Sequence, residues 1–219
     1  MKLSHSYSSI KLYEQCPLRY YLQRVEKSVV DTGNSASVHG ERIHKYLEER
    51  IRDNKELPQD AKHYEPLCQS VISAAEGNEL YLEKELVLTE ELTPTTWWEP
   101  NAWLRSKLDV VIIGPKKAVV MDWKTGKRKP DTFQLGLFAA QVMKHYPQIE
   151  TVSTSFVWLK DMAMDKEDYH RDSINEVWAD IMTRIRRIHQ SAEHQVWPAR
   201  PSGLCRWCPA RSSCDFAQS

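Results

Sequence analysis

The sequence predicts a mixed α/β fold, and three observations lead there. Apolar residues recur at helical spacing early in the chain, as at Ile43, Leu47 and Ile51. Strand-like apolar runs then take over in the middle, the sharpest being Val119-Val120-Met121-Asp122-Trp123-Lys124. Helical periodicity returns late, in the stripe Ile174, Val177, Trp178, Ile181, Ile185 and Ile188. At 219 residues and 41% hydrophobic content the chain suits one domain over 1–219 with an ordinary core.

Taken in order, Ser6 or Ser8 can cap a first helix that runs to about Cys16-Pro17, and a second helical piece covers Leu18 to Leu22. Asp31 to Ser35 reads as a loop. Val38 to Arg52 carries the first strong helical period, and a weaker helix covers about Ala61 to Glu76. Glu83 to Leu88 and Trp103 to Ile113 read as strands. Gly114-Pro115-Lys116-Lys117 then turns the chain, so Ala118 to Trp123 returns as an antiparallel hairpin partner. Gly126 to Pro130 is a basic loop, after which Asp131 can cap a helix to about Tyr146. Val152 to Leu159 reads as a strand and Ser173 to Ala192 as the last long helix. Pro198 and Pro201 lead into a cysteine-rich end.

Several classes are disfavoured. No apolar run approaches the ~20 residues of a membrane-spanning helix, so no membrane association is expected. The opening Met1-Lys2-Leu3-Ser4-His5-Ser6 lacks an apolar signal core, which predicts a cytoplasmic, reducing location. In that setting the five cysteines are expected as thiols or metal ligands rather than disulfides. The formal net charge is zero, so any nucleic-acid role must rest on local basic patches.

The strand ending at Lys124 carries the most chemistry. Side chains alternate along a strand, so Asp122 and Lys124 share a face, ~6–7 Å apart at Cα, while Trp123 turns into the core. Asp109 closes the approach Trp103 to Leu108 thirteen residues earlier. Two carboxylates and a lysine at one sheet edge can hold a divalent metal and stabilise phosphate charge. The pair alone also fits a strand end with a simple ion pair. His44 lies one helical turn after Gly40, where the missing side chain would admit a close neighbour. Neutral imidazole is a common metal ligand, although a surface histidine explains His44 equally well by itself. Gln134 opens the helix after the basic loop and can donate to a phosphate oxygen. Lys127, Arg128 and Lys129 offer charges where a phosphate backbone would run.

Cys205-x-x-Cys208-x5-Cys214 places three thiolates within ten residues. Their softness suits zinc or an iron–sulfur cluster, either of which needs a fourth ligand. Cys16, followed by Pro17 as Cys208 is by Pro209, is the leading candidate; Cys68 and the histidines remain alternatives. The segments 1–35 and 196–219 would together form that site.

With these residues in view the chain resembles the RecB-like branch of the PD-(D/E)xK nucleases, especially its compact iron–sulfur members. These are the CRISPR-associated Cas-four exonucleases, the exonuclease V group and the nuclease domain of AddB. Gly40 to His44 is similar to the family's G-x-x-x-H motif, Asp109 to its first carboxylate, Asp122-x-Lys124-Thr125-Gly126 to its D-x-K-T-G core, and Gln134 to the start of Q-x-x-x-Y. Cys16, Cys205, Cys208 and Cys214 resemble its four cluster ligands. Phe138 replaces the last motif's tyrosine, and Ser106 stands where a glycine is common.

The resemblance implies a restriction-endonuclease-like core, with a mixed central sheet flanked by helices and a 4Fe-4S cluster joining the two chain ends, or Zn²⁺ in its place. It implies Mg²⁺ or Mn²⁺ held by His44, Asp109, Asp122 and the Trp123 carbonyl, and a catalytic set of Asp109, Asp122, Lys124 and Gln134. The implied activity is DNA exonuclease action, 5′→3′ on single strands or free ends, with Lys127, Arg128, Lys129 and Tyr20 on the DNA. A recombinase, a helicase or the CRISPR adaptation machinery would be the partner. Two alternatives are a non-catalytic DNA-end-binding subunit with a decayed site and an endonuclease on the same fold.

Overall fold

Turn chemistry builds the centre of the sheet. Gly114 bends the chain between two apolar strands, and its N–H donates to the Lys117 carbonyl at 2.9 Å. The architecture that follows is taken from a computed structural model describing residues 3–33 and 35–218. The chain divides into two compact units, one of residues 1–33 with 179–219 and one of residues 34–178.

The larger unit starts with helices α3 (Ser35–Asp53) and α4 (Glu65–Ala74), which follow α1 (Tyr7–Gln15) and α2 (Pro17–Tyr20) of the other unit in the chain. Strands β1 (Glu79–Leu88), β2 (Pro94–Thr95), β3 (Leu104–Ile113) and β4 (Lys117–Lys124) come next. Helix α5 (Thr132–His145) leads to β5 (Thr151–Trp158) and β6 (Ala163–His170). The strands form one six-stranded sheet in the order β2-β1-β3-β4-β5-β6. Every pairing is antiparallel except that of β4 with β5, which is parallel and bridged by α5, as a parallel crossover requires. The mixed sheet flanked by helices is the arrangement expected from the sequence.

Two layers bury the sheet. Ile43, Leu47 and Ile51 of α3 pack with Cys68 and Val71 of α4 against Val110, Ile112, Trp123 and Val157. Trp123 thus turns into the core as strand alternation predicts. Cys68 is a core thiol, with burial pushing its pKa up to about 11. On α5 every residue from Phe133 to Met143 is buried. Its Asp131 cap accepts from the Phe133 N–H at 3.1 Å. A Cβ on Gly136 would lie 3.1 Å from Val177 and 3.4 Å from Tyr169, so glycine lets this covered helix face be approached closely.

Three details differ from the sequence expectation. β1 begins at Glu79, four residues earlier, because Leu80 and Leu82 continue its apolar face onto the helix cluster. β2 is a two-residue edge piece containing Pro94, too short to give a periodic signal. β6 carries a run of four charged residues, Asp165 to Asp168, which hides its strand character and also blunts an exposed sheet edge.

The smaller unit contains α1 (Tyr7–Gln15), α2 (Pro17–Tyr20) and most of α6 (Ile174–His194). Ser6 and Ser9 close a reciprocal capping box at the start of α1. Pro17 opens α2, where its missing N–H costs nothing, and Tyr13 donates to the Arg187 carbonyl at 2.9 Å. The apolar stripe of α6 is buried at Ile174, Trp178, Ile181, Ile185 and Ile188, as its periodicity predicts. No helix among the described residues is long and apolar enough to cross a membrane.

Candidate functional site

Four elements of the larger unit converge on one group of side chains. α3 brings His44, β1 brings Glu83, β3 brings Asp109, and β4 brings Asp122 and Lys124. His44, Glu83 and Asp109 each present a ligand atom, all within 4.8 Å of one another.

Asp109 is fixed from both sides. Its Oδ1 lies 3.3 Å from His44 Nδ1, and its Oδ2 accepts the Trp123 main-chain N–H at 2.7 Å. The second contact crosses from β3 to β4 beyond their last ladder pair, Val110 with Met121, so a carboxylate takes the place of a ladder bond.

Asp122 is only 6% exposed. Its Oδ1 accepts from Gln134 Nε2 at 3.2 Å, while Gln134 Oε1 accepts from Lys124 Nζ at 3.1 Å. Gln134 therefore clamps the carboxylate and the ammonium together, and both its polar groups are engaged within the protein. The sequence expectation gave this amide to a phosphate. Asp122 Oδ2 lies 2.6 Å from Lys124 Nζ, yet it is buried without an aligned hydrogen bond. Burial raises the Asp122 pKa to about 6; Lys124 opposes the rise and Asp109 adds to it. Burial pulls the His44 pKa down, but the Asp109 hydrogen bond and the charges of Asp109, Asp122 and Glu83 outweigh it, leaving a net rise.

Gly40 explains how α3 reaches this point. A Cβ there would sit 2.9 Å from the Thr125 hydroxyl oxygen, so glycine permits α3 to close on the end of β4 and set His44 beside Asp109.

Glu83 is the member that sequence reasoning missed. It falls opposite Asp109 in the β1–β3 register, which pairs Leu82 with Val110 and Lys84 with Leu108. Its φ of 51° lies in the left-handed region that non-glycine residues seldom adopt. A fifteen-residue connection between β1 and β3 hid that register from sequence. Glu85, the next carboxylate on the strand, is exposed and outside the group.

The basic loop separates into two kinds of residue. Lys127 and Lys129 are exposed, whereas Arg128 is held by the Asp165 carboxylate, its Nε at 3.0 Å. Tyr20 corrects the expectation of a DNA contact. It is 1% exposed and stacked on Trp197 at 5.8 Å between centroids, so packing has consumed the face a base would need.

In the smaller unit Cys16, Cys205, Cys208 and Cys214 line one cavity with Leu18 and Phe216. All four are half-buried free thiols. The Arg200 N–H points to Cys16 Sγ at 3.5 Å and the Ser202 N–H to Cys205 Sγ at 3.3 Å.

No curated protein sequence matches the chain. Solved structures that match include a Eubacterium rectale protein named as a candidate exonuclease, with 16% identity, coverage of 93% of this chain and 87% of that one, and a TM-score of 0.49. Another is an alkaline exonuclease from Laribacter hongkongensis, with 10% identity, coverage of 88% and 91%, and a TM-score of 0.37. Similarity this distant adds nothing to the family match that follows. Residues 4–215 match the family model of the PD-(D/E)XK nuclease superfamily, a span containing every residue of the carboxylate group and all four clustered cysteines. The chain belongs to the PD-(D/E)XK nuclease superfamily.

Proposed function

We propose that this chain is a divalent-metal-dependent nuclease that hydrolyses DNA phosphodiester bonds at free ends. The observation that carries the reading is the convergence of His44, Glu83 and Asp109 on one point beside the Asp122–Lys124–Gln134 clamp.

The donor set fits Mg²⁺ or Mn²⁺. Hard carboxylate oxygens with one imidazole suit these ions, and the buried, unaligned Asp122 Oδ2 is the kind of atom a cation would satisfy. His44, Glu83, Asp109 and Asp122 would hold the metal, with the Trp123 carbonyl as a further ligand. A bound divalent ion supplies Lewis-acid polarisation of the phosphate and lowers the pKa of water.

The protein groups have separable tasks. Lys124 places a positive charge where negative charge grows on the phosphate during attack, a preorganised contribution. Gln134 holds Lys124 and Asp122 in register, so neither must reorganise. The Trp123 N–H aims the Asp109 carboxylate through its 2.7 Å hydrogen bond. The preference for single strands and a 5′→3′ direction come from the resemblance of the motifs.

At the cysteines the proposed group is a 4Fe-4S cluster with a structural role, held by Cys16, Cys205, Cys208 and Cys214. Their common cavity and the two N–H···S contacts support it. Zn²⁺ held by the same four thiolates is the alternative occupant.

The decisive experiment uses anaerobically purified protein and end-labelled single-stranded DNA, with Mg²⁺ or Mn²⁺ against EDTA. Metal-dependent cleavage lost in Asp122→Ala and Lys124→Ala, with circular dichroism unchanged, is the expected result. Undiminished cleavage by both variants would falsify the assignment. Digestion of closed circular DNA would replace the exonuclease reading with an endonuclease.

A further inference from the structure

Burial alternates along the first half of β3. Leu104, Ser106, Leu108 and Val110 are buried, while Arg105, Lys107 and Asp109 stay at least partly open. The three open positions therefore form one row, spaced ~6.8 Å apart. The row starts at the metal-ligand group, where Lys107 Nζ lies 2.6 Å from Glu83, and Arg105 lies roughly 14 Å from Asp109 along the strand.

Arg105 continues the row into an aromatic pair. Its guanidinium carbon sits 5.6 Å from the Trp97 ring centroid, and its Nε is buried without a hydrogen-bond acceptor. Trp98, in the connection between β2 and β3, is 89% exposed. An exposed ring of this size offers a broad flat face for stacking. Two cations and then an open indole, all leading from a carboxylate site, match the chemistry of a single nucleic-acid strand. Cations face its phosphates and an aromatic face takes a base. A duplex would keep its bases stacked on each other and offer none to Trp98.

We infer that Lys107, Arg105 and the Trp97–Trp98 pair form a track for single-stranded DNA that runs from the carboxylate site along β3. The track rests on the nuclease reading, for it takes that site as the origin of the strand. It holds the DNA at a distance of a few nucleotides from the reacting phosphate, so it acts on substrate affinity and not on the bond-breaking step.

The test measures two quantities on Trp98→Ala and Arg105→Gln. One is the affinity for a fluorescein-labelled 12-nucleotide oligothymidine in EDTA, by anisotropy. The other is hydrolysis of bis(4-nitrophenyl) phosphate with Mn²⁺, a diester too small to reach β2. Trp98 is exposed, so its replacement leaves folding intact. Each variant is expected to weaken 12-mer binding about tenfold, and Arg105→Gln to lower the slope of log affinity against log salt by about one. Small-diester hydrolysis stays at the wild-type rate, and Lys116→Gln, a charge change before β4, alters neither. Wild-type affinity in both variants would overturn the track, as would failure of the wild type to bind the 12-mer or equal Trp98 dependence for a duplex. Trp98-dependent 12-mer binding in a wild type that hydrolyses neither DNA nor the small diester would retain the track and discard the nuclease reading.

Discussion

The carboxylate group and the cysteine cavity are the two proposed ion sites, and their side chains are held in opposite ways. Around Asp109 and Asp122 nearly every ligand atom is already fixed: Asp109 by the Trp123 N–H, Asp122 and Lys124 by Gln134, and His44 by the approach that Gly40 allows. Around the cysteines the chain runs through three-residue 3₁₀ turns at Cys205–Trp207 and Arg211–Ser213, and the thiols are half-exposed. The first site is organised by a packed sheet and helices before any ion arrives. The second has little core of its own, so ligand binding there is largely folding free energy. One site should therefore lose activity when damaged, and the other stability.

The largest expected effect breaks this contrast at the cysteines. Cys205→Ser should abolish stoichiometric iron and sulfide in anaerobic protein and remove a link across nearly the whole chain, for which the loop-entropy relation gives ~5 kcal/mol. Calorimetry should show an early transition for the damaged unit, while Mn²⁺ binding at the carboxylates, followed by isothermal titration, persists. Equal loss of both would show that the sites are not separately organised.

Next in size is Gln134→Ala, which removes the amide held between Lys124 and Asp122 and leaves His44, Glu83 and Asp109 in place. Cleavage turnover should drop about a hundredfold, the scale seen when transition-state electrostatics lose their positioning. KM and Tm should move little. A change in KM alone would instead place Gln134 on the DNA.

A pH experiment sharpens the comparison from the cysteine-bearing unit. His5 is buried against His189, with the two Nε2 atoms 3.0 Å apart, and burial followed by the His189 charge lowers its pKa from 6.5 to about 3. The unfolded chain takes up a proton near pH 6.5 that the folded chain refuses until about pH 3. Stability therefore falls as pH drops through that window, by up to ~1.4 kcal/mol per unit. Urea melts at pH 7 and pH 5 should show it, and His5→Gln should flatten the difference. A pH-independent midpoint in the wild type would refute it.

The smallest effect is at Gly40→Ala. The added Cβ would meet the Thr125 oxygen at 2.9 Å, and displacing it should cost about 1 kcal/mol and weaken Mn²⁺ binding through His44. Adding Thr125→Ala should restore much of both, giving a favourable coupling in a double-mutant cycle.

Much of the fold was legible because its signals are local. The α3 stripe, the Gly114 hairpin, the Asp131 cap and the α6 stripe each lie within a few residues. β6 was not legible, because charges that protect an edge erase the apolar alternation that reveals a strand. The same contrast holds in the site. Asp122 and Lys124 share a face by strand geometry alone, but Glu83 gained its place only through pairing across a long connection and an unusual backbone angle. Tyr20 runs in the other direction: the resemblance puts it on the DNA, whereas in the fold its ring is buried and stacked on Trp197.

By itself the sequence determined the mixed α/β class, the family motifs, and the soft and hard ligand types, since these depend on residue chemistry and short spacing. Only the tertiary structure decided that Glu83 joins His44 and Asp109, that Gln134 bonds to both Lys124 and Asp122, and that Arg105 lies against Trp97. Those three outcomes depend on strand register and helix approach, which residues far apart in the chain set together.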